Sequence, residues 1–337
     1  MAKKVLITGI TGMVGSHLLD LLLKKTNWNI YGVCRWRSPL DNVSHHLDLA
    51  NKKSRLHFEY SDLCDPLSIY SLLEKVKPDY IYHLAAQSYP QTSFDSPDLT
   101  LETNINGTLR LLESIRKLKL NKTLIHVCSS SEVFGRVPKE FLPIKEDCAY
   151  HPASPYAISK VGTDLLAKYY HEAFGLKVLT TRMFTHTGPR RGDVFAESSF
   201  AKQIALIEKK LIPPIIKVGN LDSVRTFADV RDAVNAYYLL LTKNPKSGEF
   251  YNIGGTHTCT VGEMLKYLIS ISKVKNIKVK IDKSRLRPID ADLQIPDTSK
   301  FKKDTGWKIN YNFETTMLDL LNYWRQKVKK NGAQLDR

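Results

Sequence analysis

The sequence predicts an α/β protein, with a doubly wound, mostly parallel sheet covered by helices on both faces and a smaller, interleaved α/β domain. Three observations lead to this fold class. Short runs rich in β-branched residues alternate with amphipathic segments through the first half of the chain. The runs are continuously apolar, as in strands that are buried on both faces. A glycine-rich turn joins the first run to the first amphipathic segment.

Six strands and four helices are expected before residue 185. The strands are the short apolar runs at 5–8, 29–34, 56–60, 80–84, 124–128 and 178–183. The helices are the longer amphipathic segments at 13–25, 66–75, 99–118 and 155–174. Each helix carries the chain back across the sheet, so successive strands run in the same direction.

The pattern changes after about residue 185, where a Pro/Gly/Arg loop occupies 188–192. A helix is predicted at 195–209 and a short strand at 215–218, followed by mixed elements. The segments 227–241 and 249–253 are expected to return to the first domain, because the latter is another strand-like run. We therefore predict one domain from 1–185 with about 226–260, and a second from 186–225 with 261–337.

Composition narrows the class of protein. A chain of 337 residues with 42% apolar and 25% charged residues suits a globular enzyme of about two domains. Its apolar runs are far shorter than the roughly 20 residues that span a bilayer. No targeting segment is recognised, so no membrane association is expected and the cytoplasm is the expected location.

The chain carries 50 basic and 34 acidic residues, a formal charge of +16. The basic residues are spread along the chain, so a site for small polyanions such as nucleotides is as good an account as a nucleic-acid surface, and the motifs decide between them. The five cysteines form no CxxC pair, so neither a disulfide framework nor a zinc site is expected. His45 and His46 are adjacent, which is poor geometry for joint coordination from one helix face, and no metal is predicted.

The glycine-rich turn predicts a Rossmann-type dinucleotide site. Glycines at 9, 12 and 15 allow a tight turn, a close approach of backbone to a pyrophosphate, and close packing of helix on strand. The helix that follows offers free N–H groups and its positive dipole end to the phosphates. The residues expected to bind the cofactor here are Gly9, Thr11, Gly12, Met13, Val14 and Gly15.

The end of the second strand predicts NADP rather than NAD. An acidic residue usually receives the ribose 2′-OH of NAD at this place, but the sequence has Arg35 and Arg37 and no acid. A guanidinium pairs well with a 2′-phosphate; the alternative is a solvated loop. Asp62 and Leu63, after the third strand, are expected near the adenine. The alternative for Asp62 is a helix cap before Pro66.

Tyr156 and Lys160 are four residues apart, so one helix face presents both. Ser130 ends a strand just upstream, at the edge where parallel sheets form active sites. A tyrosine pKa near 10 is too high for a base at neutral pH, but a neighbouring ammonium and a positive nicotinamide would favour the phenolate. The Ser130 hydroxyl would hold a substrate alcohol beside it.

These motifs resemble those of the extended short-chain dehydrogenases/reductases over essentially the whole chain. The matching segments are TGITGMVG at 8–15, SDL at 61–63, HLAAQS at 83–88, Asn104-x-x-Gly107-Thr108 and YAISK at 156–160. Within that family the chain is most similar to GDP-mannose 4,6-dehydratases. This closer similarity is carried by CRWRS at 34–38, SSSEVFG at 129–135, His186 followed by GPRRG at 188–192, GNLDSVR at 219–225 and RP at 287–288.

The resemblance implies a GDP-sugar 4,6-dehydratase that acts on a GDP-manno-configured hexose or heptose. Oxidation at C4 would be followed by C5 proton loss with elimination of water, and by hydride return to C6. The implied catalytic residues are Ser130, Glu132, Tyr156 and Lys160. Further cofactor contacts are implied at Leu84, Ala85, Ala86, Tyr156, Lys160, His186 and Arg191. Substrate contacts are implied at Gln87, Ser88, Ser130, Thr185, Lys202, Gly219, Asn220, Arg225 and Arg287.

Two departures keep other enzymes open. The dehydratases usually have Thr in place of Ser130 and Asn in place of Thr185. The C-terminal half also resembles GDP-4-keto-6-deoxymannose reductases, so an NADPH-dependent 4-reductase or a nucleotide-sugar epimerase remains an alternative. A nucleotide-sensing protein and an RNA-binding protein are alternatives of other classes. The long helices resemble the family's dimer seam and the basic loop at 35–46 is expected to bridge a tetramer, so a homodimer or homotetramer is predicted.

Overall fold

The computed structural model describes residues 2–52, 54–286 and 292–331. Its strands are β1 Lys4–Thr8, β2 Asn29–Cys34, β3 Leu56–Tyr60, β4 Tyr80–His83, β5 Leu124–Ser130, β6 Lys177–Met183, β7 His186–Thr187, β8 Ile215–Val218, β9 Val224–Asp229, β10 Phe250–Ile253, β11 His257–Thr260, β12 Lys278–Ile281 and β13 Leu293–Gln294. Its helices are α1 Met13–Lys25, α2 Leu47–Asn51, α3 Pro66–Val76, α4 Pro90–Asp95, α5 Pro97–Leu101, α6 Gly107–Lys117, α7 Pro155–Phe174, α8 Ala196–Glu208, α9 Val230–Thr242, α10 Val261–Ser270, α11 Ser299–Thr305 and α12 Phe313–Asn331.

A seven-stranded sheet in the order β10-β6-β5-β4-β1-β2-β3 forms the centre of the molecule. Every neighbouring pair of strands in it is parallel. The chain builds outward from β1 in one direction and from β4 in the other, so the strand order reverses between these two strands. A crevice at the carboxyl ends of such strands is where doubly wound sheets bind ligands. The predicted fold class is confirmed.

Both faces of this sheet are buried, which explains the continuously apolar strands. Val5 and Ile7 point into a core that includes α1 and α9. Leu6 points into the opposite core, which includes α3, α6 and α7. Alternate residues of β1 therefore enter different cores, as the two-residue period of a strand requires.

A third core lies between α8, α10 and α12, away from the large sheet, and includes Phe200, Met264 and Trp324. Beside it, β9 pairs with β7, β11 and β13, and β8 pairs with β12. β10 lies in the large sheet, whereas β11 and most of β9 lie in the small sheet although the segment 226–260 was predicted to belong to the first domain. Phe301 and Trp307 in turn pack into the core beside α9. Apolar burial places these segments, because each core takes the side chains that fill it.

The helix predicted at 99–118 is interrupted by a π-helical turn at Glu102–Asn106 between α5 and α6. The Asn104 side chain is drawn inward there, where its amide nitrogen donates to Gln87 O at 3.0 Å and to Ser159 Oγ at 2.8 Å. Single π turns of this kind often lie at functional sites. Among the helices described, none combines the length and apolarity needed to cross a bilayer.

Candidate active site

The turn after β1 is packed too closely for any residue but glycine at two positions. Gly9 has a φ of +73°, and a Cβ there would lie 2.9 Å from the backbone of Ala85. A Cβ on Gly15 would lie 2.3 Å from the Gly9 carbonyl oxygen. The first turn of α1 therefore lies directly on the loop, and any ligand above it meets bare backbone.

The N-terminus of α1 is open to an anion. Gly12 is its N-cap, no side chain of the described residues caps it, and its first turn carries no acid. The N–H groups of this turn and the positive end of the helix dipole consequently face the loop. Thr11, Met13 and Val14 lie at this same point, where the Thr11 carbonyl accepts a hydrogen bond from Asn42 Nδ2 at 3.0 Å.

The ends of β1 and β4 are joined by one hydroxyl. Thr8 Oγ1 accepts hydrogen bonds from the N–H groups of Leu84 and Ala85, both at 3.1 Å, and lies 3.0 Å from His83 Nδ1. This arrangement places Leu84, Ala85 and the next residue, Ala86, along the crevice above Gly9. The three predicted cofactor residues after β4 thus lie beside the glycine turn.

Arg35 and Arg37 lie in an exposed turn at the end of β2, and Trp36 between them packs edge-on against Tyr60 at 5.0 Å. The turn is closed by Ser38, whose N–H donates to the Arg35 carbonyl at 2.9 Å. Within the described chain neither guanidinium has an ion-pair partner. Two exposed guanidinium groups at this strand end suit a phosphate, and their role toward a 2′-phosphate stays a prediction.

The alternative for Asp62 is wrong, because Asp65 is the cap of α3. Asp65 Oδ1 accepts from the N–H groups of Leu67 and Ser68 at 3.0 and 3.3 Å. Asp62 instead accepts from the Cys64 N–H at 3.0 Å, which stabilises the turn after β3. Leu63 is buried under α6. The proximity of Asp62 and Leu63 to an adenine stays a prediction.

Tyr156 and Lys160 lie in the first two turns of α7. Ser154 caps this helix by accepting from the Ala157 N–H at 3.0 Å, and Pro155 begins it. Lys160 Nζ donates to the Cys128 carbonyl at 2.8 Å and lies 6.0 Å from the centre of the Tyr156 ring. The end of β5 therefore holds the ammonium beside the phenol, and both side chains are buried.

Ser130 and Glu132 face the same phenol from the end of β5. Tyr156 forms a hydrogen bond with Ser130, and Ser130 Oγ accepts from the Glu132 N–H at 3.2 Å. Burial raises the pKa of Tyr156, the hydrogen bond with Ser130 lowers it, and the nearby Glu132 charge raises it again. Burial also lowers the pKa of Lys160. In the protein alone the phenol is therefore neutral, and the expectation that Lys160 together with a positive nicotinamide favours the phenolate stays a prediction.

Arg191 lies near Tyr156 and His186 lies near Arg191, and both side chains are half-buried. The Arg191 guanidinium lies 3.4 Å from the centre of the Phe195 ring, and its Nε donates to Glu197 Oε1 at 3.1 Å. Its charge lowers the pKa of Tyr156. Burial, with Arg191 nearby, lowers the pKa of His186 to about 4, so this imidazole is neutral at physiological pH. Glu197 was not predicted from sequence.

Gln87 is held by protein atoms rather than open to a ligand. Its Nε2 donates to the Tyr89 carbonyl at 3.1 Å and to Thr100 Oγ1 at 3.0 Å, and its Oε1 accepts from the Tyr89 N–H at 2.7 Å. Its own N–H donates to Asn104 Oδ1 at 2.8 Å. Gln87 thus shapes the loop after β4, while the adjacent Ser88 is exposed. The predicted substrate contacts of both remain untested.

The remaining predicted substrate residues lie toward the smaller core. Lys202 is buried and pairs with Asp193 at 2.9 Å. Gly219 packs on the backbone of Arg285, and Asn220 Nδ2 donates to Ser223 Oγ at 3.0 Å. The other two described positions, Thr185 and Arg225, are half-buried. Arg287 lies outside the described residues. Arg285, not predicted although it precedes Arg287 in the same basic run, donates to Ser199 Oγ at 3.3 Å.

The adjacent histidines do converge, which was not expected. His45 Nε2 and His46 Nε2 lie 3.0 and 2.6 Å from the same oxygen of Asp20, because they belong to a 3-10 turn over α1. Arg190 Nη1 lies 2.8 Å from the other oxygen. The guanidinium charge disfavours a divalent cation at this group. The contacts tie the basic loop and the 188–191 loop to α1.

Comparison with known proteins agrees with this geometry. The family model described as GDP-mannose 4,6 dehydratase matches residues 6–320. A GDP-mannose 4,6 dehydratase of Drosophila melanogaster is 31% identical over 98% of this chain and 88% of the relative. A GDP-6-deoxy-D-mannose reductase of Pseudomonas aeruginosa is 30% identical over 98% of this chain and 100% of the relative. The solved structure of RMD from Pseudomonas aeruginosa complexed with NADPH is similar with a TM-score of 0.82 and 29% identity, over 97% of this chain and 100% of that one.

Proposed function

Because this chain belongs to the GDP-mannose 4,6-dehydratase family, we propose that it is a GDP-sugar 4,6-dehydratase acting on a manno-configured donor. The observation that carries the proposal is the grouping of Tyr156, Ser130 and Glu132 around one buried point at the carboxyl edge of the sheet. A dehydratase needs one group for the C4 hydroxyl and a second base for C5. These side chains supply both.

We propose NADP as the cofactor. The bare glycine turn and the open N-terminus of α1 suit a pyrophosphate. Arg35 and Arg37 suit a 2′-phosphate. A nicotinamide dinucleotide supplies a reversible hydride acceptor when bound. The similar solved structure contains NADPH, which supports the same choice here.

Tyr156 and Ser130 act on the C4 hydroxyl. Ser130 donates a hydrogen bond to the C4 oxygen, and Tyr156 accepts the C4 hydroxyl proton as the ketone forms. Lys160, fixed by the Cys128 carbonyl, places positive charge beside the phenol and so opposes the cost of ionising a buried tyrosine. The Arg191 charge also lowers the pKa of Tyr156.

Glu132 acts next, at C5. The C4 ketone acidifies the C5 proton, and the Glu132 carboxylate removes it. The C6–O bond then breaks as the C6 hydroxyl takes a proton from Glu132 or Tyr156 and leaves as water. The half-buried position of Glu132, two residues beyond the strand end, suits a base that contacts the sugar and is screened from bulk water.

The second candidate is an NADPH-dependent 4-reductase, because the Pseudomonas aeruginosa reductase matches the chain over its full length. The two functions differ in cofactor balance. A dehydratase restores its cofactor in every cycle, whereas a reductase consumes one NADPH for each product. A nucleotide-sugar epimerase would change neither the mass of the sugar nor the cofactor balance.

The test is incubation of the full chain with GDP-mannose and with a GDP-manno-heptose, without added NADPH, followed by mass spectrometry. A product that has lost one water supports the dehydratase and identifies its donor. Absence of water loss from every donor, together with NADPH-dependent reduction of a GDP-4-keto-6-deoxy sugar, would assign the reductase. A donor isomerised at unchanged mass would assign the epimerase.

We further propose that the chain forms a homodimer through α7. Ile158, Leu165 and Tyr169 recur on one face of this helix and are 50%, 52% and 55% exposed. Leu109 of the neighbouring α6 is exposed beside them. A contiguous apolar helix face of this kind suits a self-complementary contact between two copies. Light scattering in solution measures it, and a single-chain mass at micromolar concentration would contradict it.

A further inference from the structure

Asp164 continues the catalytic face of α7 but has no part in the proposed reaction. Tyr156, Lys160 and Asp164 follow one another at intervals of four residues, so they lie along one side of the helix. Asp164 is fully buried, and Arg182 Nε donates to its Oδ2 at 2.7 Å. Tyr150 donates to the same oxygen at 3.2 Å. Burial raises the pKa of Asp164, whereas the Arg182 charge and the hydrogen bonds from Arg182 and Tyr150 lower it. A paired carboxylate thus lies one turn beyond the catalytic lysine.

Arg182 is itself held in one place. Its guanidinium lies among the rings of Phe134, Tyr150 and Phe250, at 5.3, 5.1 and 4.8 Å from their centres. Its Nη1 donates to the Glu146 carbonyl and its Nη2 to Tyr150 Oη, both at 2.6 Å. Stability alone does not account for such a pair, because apolar replacements of buried ion pairs are often neutral or stabilising.

The ion pair lies directly behind the catalytic end of β5. In the strand register Arg182 is opposite Ser129, and Met183 is opposite Ser130. The residue before Ser129 is Cys128, whose carbonyl accepts from Lys160 at 2.8 Å. Asp164 therefore lies on the helix that carries Tyr156. Arg182 lies on β6, the strand next to the part of β5 that binds Lys160 through the Cys128 carbonyl and ends at Ser130.

We propose that Asp164, fixed by Arg182, is a positioning residue that keeps the Lys160 ammonium charged and in place beside Tyr156. The proposal rests on the proposed function, since it deepens the role given there to the Tyr156–Lys160 pair. Lys160 is buried, and an ammonium that leaves water loses its charge readily unless an anion lies near. Asp164 is that anion.

The groups that face Lys160 support this role. They are Tyr156 and Asp164 on α7, Cys128 and His126 on β5, and His83 on β4. Burial lowers the pKa of both His83 and His126 to about 3, so neither imidazole carries charge at neutral pH. Burial lowers the pKa of Lys160, and its charge interactions with Cys128 and then Asp164 raise it. Of these groups Asp164 alone is a carboxylate.

The experiment is a titration of Lys160 in the full chain with bound NADP, in the wild type and in Asp164→Asn. Lysine labelled with 13C at Cε reports its own ionisation by NMR, and the Lys160 signal is assigned by its absence in Lys160→Met. In Asp164→Asn we expect Lys160 to lose its proton roughly one pH unit lower, a tenfold change in acidity. The basic limb of turnover against pH should move by the same amount.

The control is Asp232→Asn, which removes another buried carboxylate, one that accepts from the N–H groups of Asn310 and Tyr311 at 3.0 Å. It should lower the melting temperature without moving the Lys160 titration. An unchanged titration in Asp164→Asn, or an equal shift in Asp232→Asn, would overturn the proposal. If Asp164→Asn does not fold, Asp164→Ser replaces it, because it also removes only the carboxylate charge, and the same two outcomes apply. Absence of water loss in the wild type counts against the proposed function only, because the titration needs no turnover.

Discussion

At the scale of single residues, the pKa of the Tyr156 phenol is set by its burial and by groups from two separate segments. Ser130 lowers its pKa from the end of β5, Arg191 lowers it from the loop before α8, and burial raises it. The net effect keeps the phenol neutral in the protein alone. Ionisation of Tyr156 therefore depends on positive charge placed next to it, which Lys160 supplies in part.

Tyr156→Phe tests the base. The substitution removes the hydroxyl but keeps the ring that fills the site, so the fold and cofactor binding should persist. Turnover should fall by roughly 10²–10⁴, the usual contribution of an acid–base group. Steady-state rates and the amount of copurified cofactor measure the two effects. Activity within about tenfold of the wild type would remove Tyr156 from the mechanism.

Glu132→Gln separates the dehydratase from the reductase. The amide keeps the shape of the side chain but cannot take the C5 proton. Tyr156 and Ser130 are intact, so C4 oxidation should proceed and then stop. Absorbance of reduced nicotinamide should accumulate after GDP-mannose is added, with no water-loss product. A variant that dehydrates at the normal rate would make Glu132 a bystander, and one that still reduces a 4-keto sugar with NADPH would favour the reductase.

Arg35→Glu tests the choice of cofactor. It places a carboxylate where a 2′-phosphate would lie and where NAD would present a 2′-OH. The ratio of affinities should move from NADP toward NAD, as measured by titration calorimetry with each cofactor. Lys52→Glu, at the C-terminal end of α2, makes the same change of charge away from the turn after β2 and is the control. An unchanged ratio would mean that Arg35 does not contact the phosphate, and Arg37 would be tested next.

At the scale of elements, close packing of α1 on the glycine turn prepares the phosphate site. The strand, the turn and the helix can each be predicted from sequence. The distance between the helix and the turn is short because Gly9 and Gly15 have no side chains. The π-helical turn at Glu102–Asn106 has a comparable role, because it brings Asn104 into contact with both the loop after β4 and α7. Both elements position backbone around the crevice and do not themselves supply side chains that contact a ligand.

Gly15→Ala tests this packing. Its methyl group would lie 2.3 Å from the Gly9 carbonyl and 2.7 Å from Ile10 Cα, both backbone atoms that cannot rotate away. Overpacking of this kind costs about 1–3 kcal/mol of folding free energy, and α1 should move away from the turn. Urea unfolding should show the loss, and NADP should bind more weakly.

Gly262→Ala is the matched control for that experiment. Gly262 lies in α10, a helix of the smaller core, and its added methyl group would lie 3.3 Å from the Leu221 carbonyl oxygen. A small adjustment accommodates it, so NADP affinity should not change. Equal weakening of NADP binding in both variants would contradict a specific role for the close approach at Gly15.

At the scale of the whole molecule, four histidines, two buried and two half-buried, couple stability to pH. Burial lowers the pKa of His17 and His186 to about 4 and of His83 and His126 to about 3. In the unfolded chain the same groups have a pKa near 6.5. Below about pH 6.5 these histidines bind protons in the unfolded state but stay neutral in the folded state. Their stabilising contribution is therefore complete above about pH 6.5 and decreases as pH falls toward 4.

The free energy of unfolding should consequently fall between pH 7 and 5, by up to roughly 1.4 kcal/mol per pH unit for each histidine. Urea midpoints at a series of pH values measure the slope. His126→Gln should reduce the slope, because it removes one buried imidazole. His257→Gln replaces an exposed imidazole and should leave it unchanged. A flat profile in the wild type would contradict the neutral state of these side chains.

The sequence by itself determined the doubly wound sheet, most strand and helix positions, the glycine turn and the pairing of Tyr156 with Lys160. These features have local causes: two-residue and 3.6-residue periodicities, glycine at crowded turns, and four-residue spacing on a helix. It also identified Glu132 and Arg191 as site residues, but only through a resemblance to known enzymes.

Only the tertiary structure decided which buried polar groups meet. Nothing local pairs Asp164 with Arg182, Glu197 with Arg191, or Gln87 with Asn104. Each contact depends on how a helix, a strand and a loop pack around one core, and the chain between the partners carries no periodic signal for it. The direction of the pKa shift at Tyr156 has the same origin, because desolvation is set by everything that surrounds the group and not by its neighbours in sequence.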